Sequence, residues 1–162
     1  MSPGDSTVLF RALPSRFSFA VDDKRLLKAF ARTLSREVAD GKPFTCLITS
    51  DHQLHRLNKK FLKHDYPTDV LSFPSACNNG DLGEIAISVE RAESQASEFG
   101  HNRIDELKIL MLHGLLHLCG MDHETDRGEM ARAERTWRVA FDLPITLITR
   151  ASARTANERL AR

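Results

Sequence analysis

The sequence predicts an α+β fold: a single compact domain in which a small mixed sheet of about four strands is covered by helices. Three observations predict it. The chain has 162 residues, 41% hydrophobic and 28% charged, the size and balance of one domain that holds a core without disulfide staples. Apolar residues recur at helical spacing before, between and after short runs that have strand character. No internal repeat, Gly/Ser-rich linker or apolar run of about 20 residues interrupts that alternation.

In chain order, residues 1–15 read as a leader into a strand over Phe17–Val21. Asp22 or Asp23 is the expected cap of a helix over Lys24–Ala39, because a short carboxylate accepts orphan backbone N–H groups. Leu26, Leu27, Phe30, Leu34 and Val38 form its apolar stripe, and Gly41 and Pro43 stop it. Phe44–Thr49 is short, apolar and bounded by breakers, as a buried strand is. Ser50 or Asp51 then caps a helix over His52–Lys63, with Leu54, Leu57, Phe61 and Leu62 at helical spacing.

Pro67 favours extended backbone before it, and Val70–Phe73 is a strand closed by Pro74. Asn78, Asn79, Gly80 and Asp81 are turn residues, so this strand and Glu84–Val89 form a hairpin with a longer loop. Helices follow over Glu90–Phe99, ended by Gly100, over Arg103–Leu118, capped by Asn102, and over Arg127–Ala140, with Asp126 and Glu129 at capping-box spacing. Met130, Ala133, Trp137 and Phe141 make the last stripe.

The formal net charge is +1, so any nucleic-acid binding must come from a local patch. Met1–Asp5 lack a basic start followed by an apolar stretch, and no secretory signal or membrane association is expected. Cys46, Cys77 and Cys119 are odd in number, widely spaced and free of any CxxC pair, which fits a reducing interior. Cys46 and Cys119 lie in apolar runs and are expected to be small buried residues.

Chemistry concentrates in His113-Gly-Leu-Leu-His117-Leu-Cys-Gly-Met-Asp-His123. His113 and His117 are i and i+4, so on a helix they project from one face a turn apart. Gly120 is placed to end the helix in left-handed geometry and fold the chain back, bringing His123 to the same point. Three imidazoles leave one tetrahedral position open for water, the arrangement of catalytic zinc. The same donors also suit nickel, cobalt or copper. Leu110, Met111, Leu112, Leu115, Leu116 and Leu118 make the helix apolar on nearly every side and therefore buried. A histidine there needs a polar partner, and a metal serves two at once. The spacing is that of HExxHxxGxxH zinc proteases, but Gly114 occupies the place of their general-base glutamate, which argues against peptide hydrolysis. Asp122 is either a partner that orients a ligand histidine or a turn residue.

The histidine segment resembles the signature of the YbeY family, bacterial metal-dependent endoribonucleases of ribosomal RNA maturation. Pro67-Thr-Asp-Val-Leu-Ser-Phe-Pro74, Leu82-Gly-Glu-Ile-Ala-Ile-Ser88 and Glu129-Met130 with Glu134 are similar to it as well, and the likeness spans about residues 17–142. The domain is expected over residues 1–145, and the weakly patterned residues 146–162, with Arg150, Arg154, Arg159 and Arg162, are expected to be a basic tail without defined order. The resemblance implies one zinc-type ion per chain in a cleft, held by His113, His117 and His123, and cleavage of single-stranded RNA in small-subunit (16S) rRNA maturation and ribosome quality control. The implied partners are ribosomal RNA and the small ribosomal subunit or its proteins, in the cytoplasm. The chain departs from the family at Met121, where Tyr is usual, at Glu84, where Asp is usual, and at Leu62. Leu62 stands at the position of an arginine that lines the family's cleft, so the catalytic residue remains unassigned.

A substitute lies beside it. Arg56, Lys59, Lys60 and Lys63 fall at i, i+3, i+4 and i+7, and no Asp or Glu occurs from His52 to His64. One uncancelled basic helix face suits RNA phosphates, although lysine does not clamp phosphate as arginine does. Phe61, Tyr66 and Phe73 are near enough to stack on bases, but phenylalanine here is expected in the core. Two other functions fit less well: a non-catalytic, metal-stabilised ribosome-assembly factor, and a hydrolase of another bond.

Overall fold

Strands β1 (Thr7–Phe10), β2 (Thr45–Thr49), β3 (Val70–Pro74) and β4 (Gly83–Ser88) form one open sheet in the order β1-β2-β4-β3. The structure, a computed structural model, describes residues 5–62, 68–76, 80–122 and 124–145; at Leu62 it describes the backbone only. β1 and β4 flank β2 in parallel, and β3 pairs antiparallel with β4, Val70 opposite Ile87 and Pro74 opposite Gly83. The mixed α+β architecture expected from the sequence is therefore present.

Period-two alternation gives the sheet two distinct faces. Val8, Cys46, Ile48, Ile85 and Ile87 join one large core with α1 (Val21–Glu37), α3 (Val89–Phe99) and α4 (Arg103–Leu118). Leu71 and Ala86 join Leu54 of α2 (Asp51–Leu57) in a smaller cluster on the other face, packed by Leu47 and Leu57. That second face of β4 is partly covered: Ala86 is buried and Glu84 is exposed.

α4 is the centre of the molecule. Leu107, Ile109, Leu110, Met111, Leu112 and Leu115 are fully buried, and each such side chain contributes about 1.5–3 kcal/mol through burial. Its start matches the sequence expectation. The Asn102 side chain accepts the Asp105 N–H at 2.8 Å, and Asp105 and Glu106 face the positive helix end. Asn102→Ala is expected to cost about 1 kcal/mol, read as a lower midpoint in urea unfolding with an unchanged slope.

Several local expectations are corrected. Residues 17–20 are not a strand; the N-terminal strand lies earlier, at Thr7–Phe10, in what was read as a leader. The Phe17/Phe19 alternation serves an aromatic clamp instead. The Arg103 guanidinium lies 5.6 and 4.7 Å from the two ring centroids, and its Nη2 donates to the Ser18 carbonyl at 3.1 Å. α1 starts at Val21 behind Ala20, with no side-chain cap, so Asp22 and Asp23 are first-turn residues. The helix expected over His52–Lys63 is capped by Ser50, which accepts the Gln53 N–H at 3.1 Å. It keeps α geometry only to Leu57, then widens into a π-helical turn, Asn58–Leu62, with Asn58 buried. Cys46 is buried, which pushes its thiol up to about 12, but Cys119 stands past the end of α4 and is exposed. Cys77 and the tail over 146–162 lie outside the described residues.

Candidate metal centre

Two side chains from the last turns of α4 build the site. His113 is buried and His117 half-buried. Their Nε2 atoms approach to 3.2 Å, with ring centroids 4.8 Å apart and planes inclined at 74°. Two nitrogens bound to one tetrahedral zinc at 2.0–2.1 Å stand about 3.3–3.4 Å apart, so this pair is already spaced for a shared ion. The i, i+4 arrangement read from the sequence is therefore present as geometry.

Helix α5 (Glu129–Ala140) supplies the backing. A Glu134 Oε1 oxygen lies 2.9 Å from His113 Nδ1, and the buried Arg138 reaches the same oxygen with Nη2 at 3.6 Å. In the sequence, Glu134 stands out only through the family likeness. A sharper signal was available. Glu134 is four residues after the buried Met130 and three before Trp137, so a carboxylate interrupts the apolar stripe with Arg138 at i+4. A charge inside a stripe needs a buried partner.

The helix exit is also as expected. Gly120 has φ +95°. Its N–H bonds the His117 carbonyl at 2.9 Å, while the Met121 N–H bonds the Leu116 carbonyl at 3.0 Å. These two bonds close the α-helix and reverse the chain. His123 lies outside the described residues, and among those described no set of three His, Cys, Asp or Glu converges. Asp122 fills the turn role: its carboxylate accepts the Glu124 N–H at 3.0 Å and its carbonyl the Asp126 N–H at 3.1 Å. The Asp126 carboxylate in turn accepts the N–H groups of Gly128 and Met130, each at 2.8 Å. This holds the start of α5, which begins two residues later than expected.

Gly114 has a structural cause. A Cβ there would stand 2.7 Å from Ile85 Cγ2 of β4, and the Gly114 carbonyl accepts the Ser72 hydroxyl of β3 at 2.9 Å. The helix meets the sheet here, so the position of a protease glutamate is closed by the interior itself.

Of the basic group, Arg56, Lys59 and Lys60 are exposed. Lys63 and the Leu62 side chain lie outside the described residues. Arg56 stands on α2, whereas Lys59 and Lys60 stand in the π turn, where i→i+5 hydrogen bonds replace the α-helical pattern. Phe61, expected in the core, is 58% exposed. It meets Phe73 edge-on at 6.0 Å and carries Lys60 Nζ 5.2 Å from its centroid. Both rings line an apolar cavity of about 300 Å³ on the sheet face under α2, together with Leu9, Leu47, Leu57 and Ala86.

With this geometry in hand, known proteins are informative. The profile of one family, described as endoribonuclease YbeY, matches residues 16–141. A protein named Endoribonuclease YbeY from Solibacter usitatus (strain Ellin6076) is 52% identical over 149 residues, covering 92% of this chain and 97% of its own length. One of the same name from Sulfurovum sp. (strain NBC37-1) is 39% identical over 145 residues, covering 85% and 95%. The solution structure of TM1509 from Thermotoga maritima superposes with a TM-score of 0.56 at 25% identity, covering 81% of this chain and 85% of that one.

Proposed function

The chain belongs to the YbeY family of endoribonucleases, and from that premise we propose that it cuts single-stranded stretches of small-subunit ribosomal RNA at a zinc-type centre held by His113, His117 and His123. The observation that carries this reading is the 3.2 Å approach of two Nε2 atoms on α4, one ring backed by Glu134. A bound ion of this kind supplies a Lewis acid for a phosphoryl oxygen and a water of lowered pKa. The chain's own residues do the rest. Burial of α4 fixes His113 and His117 before substrate arrives, so no side-chain ordering is needed at the moment of reaction. Arg56, Lys59 and Lys60, with Lys63, hold flanking phosphates without reading sequence. Phe61 offers a ring to an unpaired base beside Lys60. Among the described residues no helix is long and apolar enough to cross a membrane. A cytoplasmic protein meeting the small ribosomal subunit or its proteins is the setting that fits this substrate.

The test is metal analysis of the purified protein coupled to single-turnover cleavage of an RNA with paired and unpaired segments. Expected results are one divalent ion per chain, cuts confined to unpaired segments, loss of cleavage on chelation and recovery with zinc. Leu62→Arg is expected to raise the rate at least about tenfold, the equivalent of one strong charge-assisted contact to phosphate. A cyclic phosphate on the product would identify the ribose 2′-OH as nucleophile. Undiminished cleavage by metal-free protein would overturn the proposal.

A further inference from the structure

The pair of contacts behind His113 has a consequence for how the centre is built. An ionised carboxylate only accepts hydrogen bonds, so the 2.9 Å contact from Glu134 Oε1 to His113 Nδ1 requires the ring proton on Nδ1. In a neutral imidazole this leaves the lone pair on Nε2, the atom 3.2 Å from His117 Nε2. In the ion-free protein His117 Nε2–H donates to that lone pair; once the proton leaves, both Nε2 atoms face one point. Without the carboxylate, nothing in this contact favours that tautomer over the other.

Glu134 is itself held. Arg138 is on the same face of α5 one turn later and is 7% exposed, against 14% for Glu134. The cation stands 3.6 Å from the oxygen that faces the histidine. Asp126 fixes the first turn of α5 through the Met130 N–H, four residues before Glu134, and Met130 is fully buried. The carboxylate is therefore delivered to His113 by a helix anchored at its start, in the core and through Arg138.

We propose that Glu134 is the positioning residue of this centre, fixing the tautomer and orientation of His113, and that Arg138 sets Glu134 in place. This rests on the metal reading above, and it adds a residue of α5 to a site whose two described histidines both stand on α4. Outer partners of metal-bound histidines are commonly worth 10–100-fold in affinity.

The experiment compares the full-length protein with Glu134→Ala, Glu134→Gln and Arg138→Met. Two readouts are used: zinc affinity by competition with a chromogenic chelator, and nitrogen–proton correlation spectra of the imidazoles in metal-free protein. Glu134→Ala is expected to weaken zinc binding about 10–100-fold and to move His113 from the Nδ1–H tautomer toward the Nε2–H form. Glu134→Gln, whose carbonyl oxygen still accepts the Nδ1–H, is expected to recover most of both signals. Arg138→Met is expected to give an intermediate loss. Should Glu134→Ala fail to fold, Glu134→Gln and the wild-type tautomer decide the matter, since an Nε2–H His113 in the folded wild type overturns the proposal. Zinc binding by folded Glu134→Ala as tight as wild type also overturns it while leaving the metal reading intact. Wild-type protein that binds no zinc with His113 in the Nδ1–H form overturns the metal reading, and the positioning role with it.

Discussion

His117→Ala protein is expected to fold, to lose its bound ion on dialysis and to cleave RNA at less than about one hundredth of the wild-type rate. The reasoning is a comparison of magnitudes. Loss of an outer partner costs about 10–100-fold in affinity, so loss of a direct ligand must cost more. The scaffold should survive because His117 is half-buried at the last turn of α4, while the fully buried side chains lie earlier in the helix. Atomic absorption on the dialysed protein, circular dichroism and single-turnover cleavage check the three parts. Wild-type metal content together with wild-type cleavage would show that the paired imidazoles serve only the fold.

The second large effect is at Gly114. Gly114→Glu is expected to unfold the protein or lower its stability by more than about 4 kcal/mol, and to confer no peptide cleavage. An added Cβ meets Ile85 Cγ2 at 2.7 Å, Cγ1 at 3.2 Å and Cδ1 at 3.3 Å. These are atoms of a fully buried, branched side chain with nowhere to go. Overpacking costs about 1–3 kcal/mol, and a carboxylate forced between helix and sheet adds the burial of an unpaired polar group. Gly114→Ala isolates the first part. Alanine improves helix propensity by about 1 kcal/mol, so the net loss should be about 0–2 kcal/mol against an overpacking cost of about 1–3 kcal/mol. Denaturant titration of both variants with a casein-cleavage assay is the check. A Glu variant as stable as wild type would show that Ile85 yields and that the glycine is not required.

Legibility followed periodicity and capping chemistry. α4 was readable to the residue because Asn102 caps it, apolar side chains cover it and Gly120 ends it. The histidine pair followed from that helix, since i, i+4 spacing becomes proximity once the helix is certain. The hairpin of β3 and β4 was readable from its turn residues and alternation. Failures occurred where tertiary context overrode a local pattern. Phe17 and Phe19 alternate like a strand, yet no strand pairs with them and Arg103 gathers their rings. Thr7–Phe10 is too short to announce itself and becomes a strand only beside β2. The π turn at Asn58–Leu62 keeps helix-like spacing, so its wider period was invisible. Glu134 was passed over as a site residue because its partner lies on another helix, and sequence periodicity reports faces rather than which helix each face will meet.

The burial of α4 also orders events in the life of the molecule. Zinc fingers are unfolded without their ion, because they are too small to bury an adequate interior. Here the two imidazoles are carried by a helix whose residence inside the protein is secured by leucine, isoleucine and methionine. On the proposed metal reading, scaffold assembly and ion loading are separate steps: the interior that holds α4 forms without the ion, as a lock is cast before the key is cut.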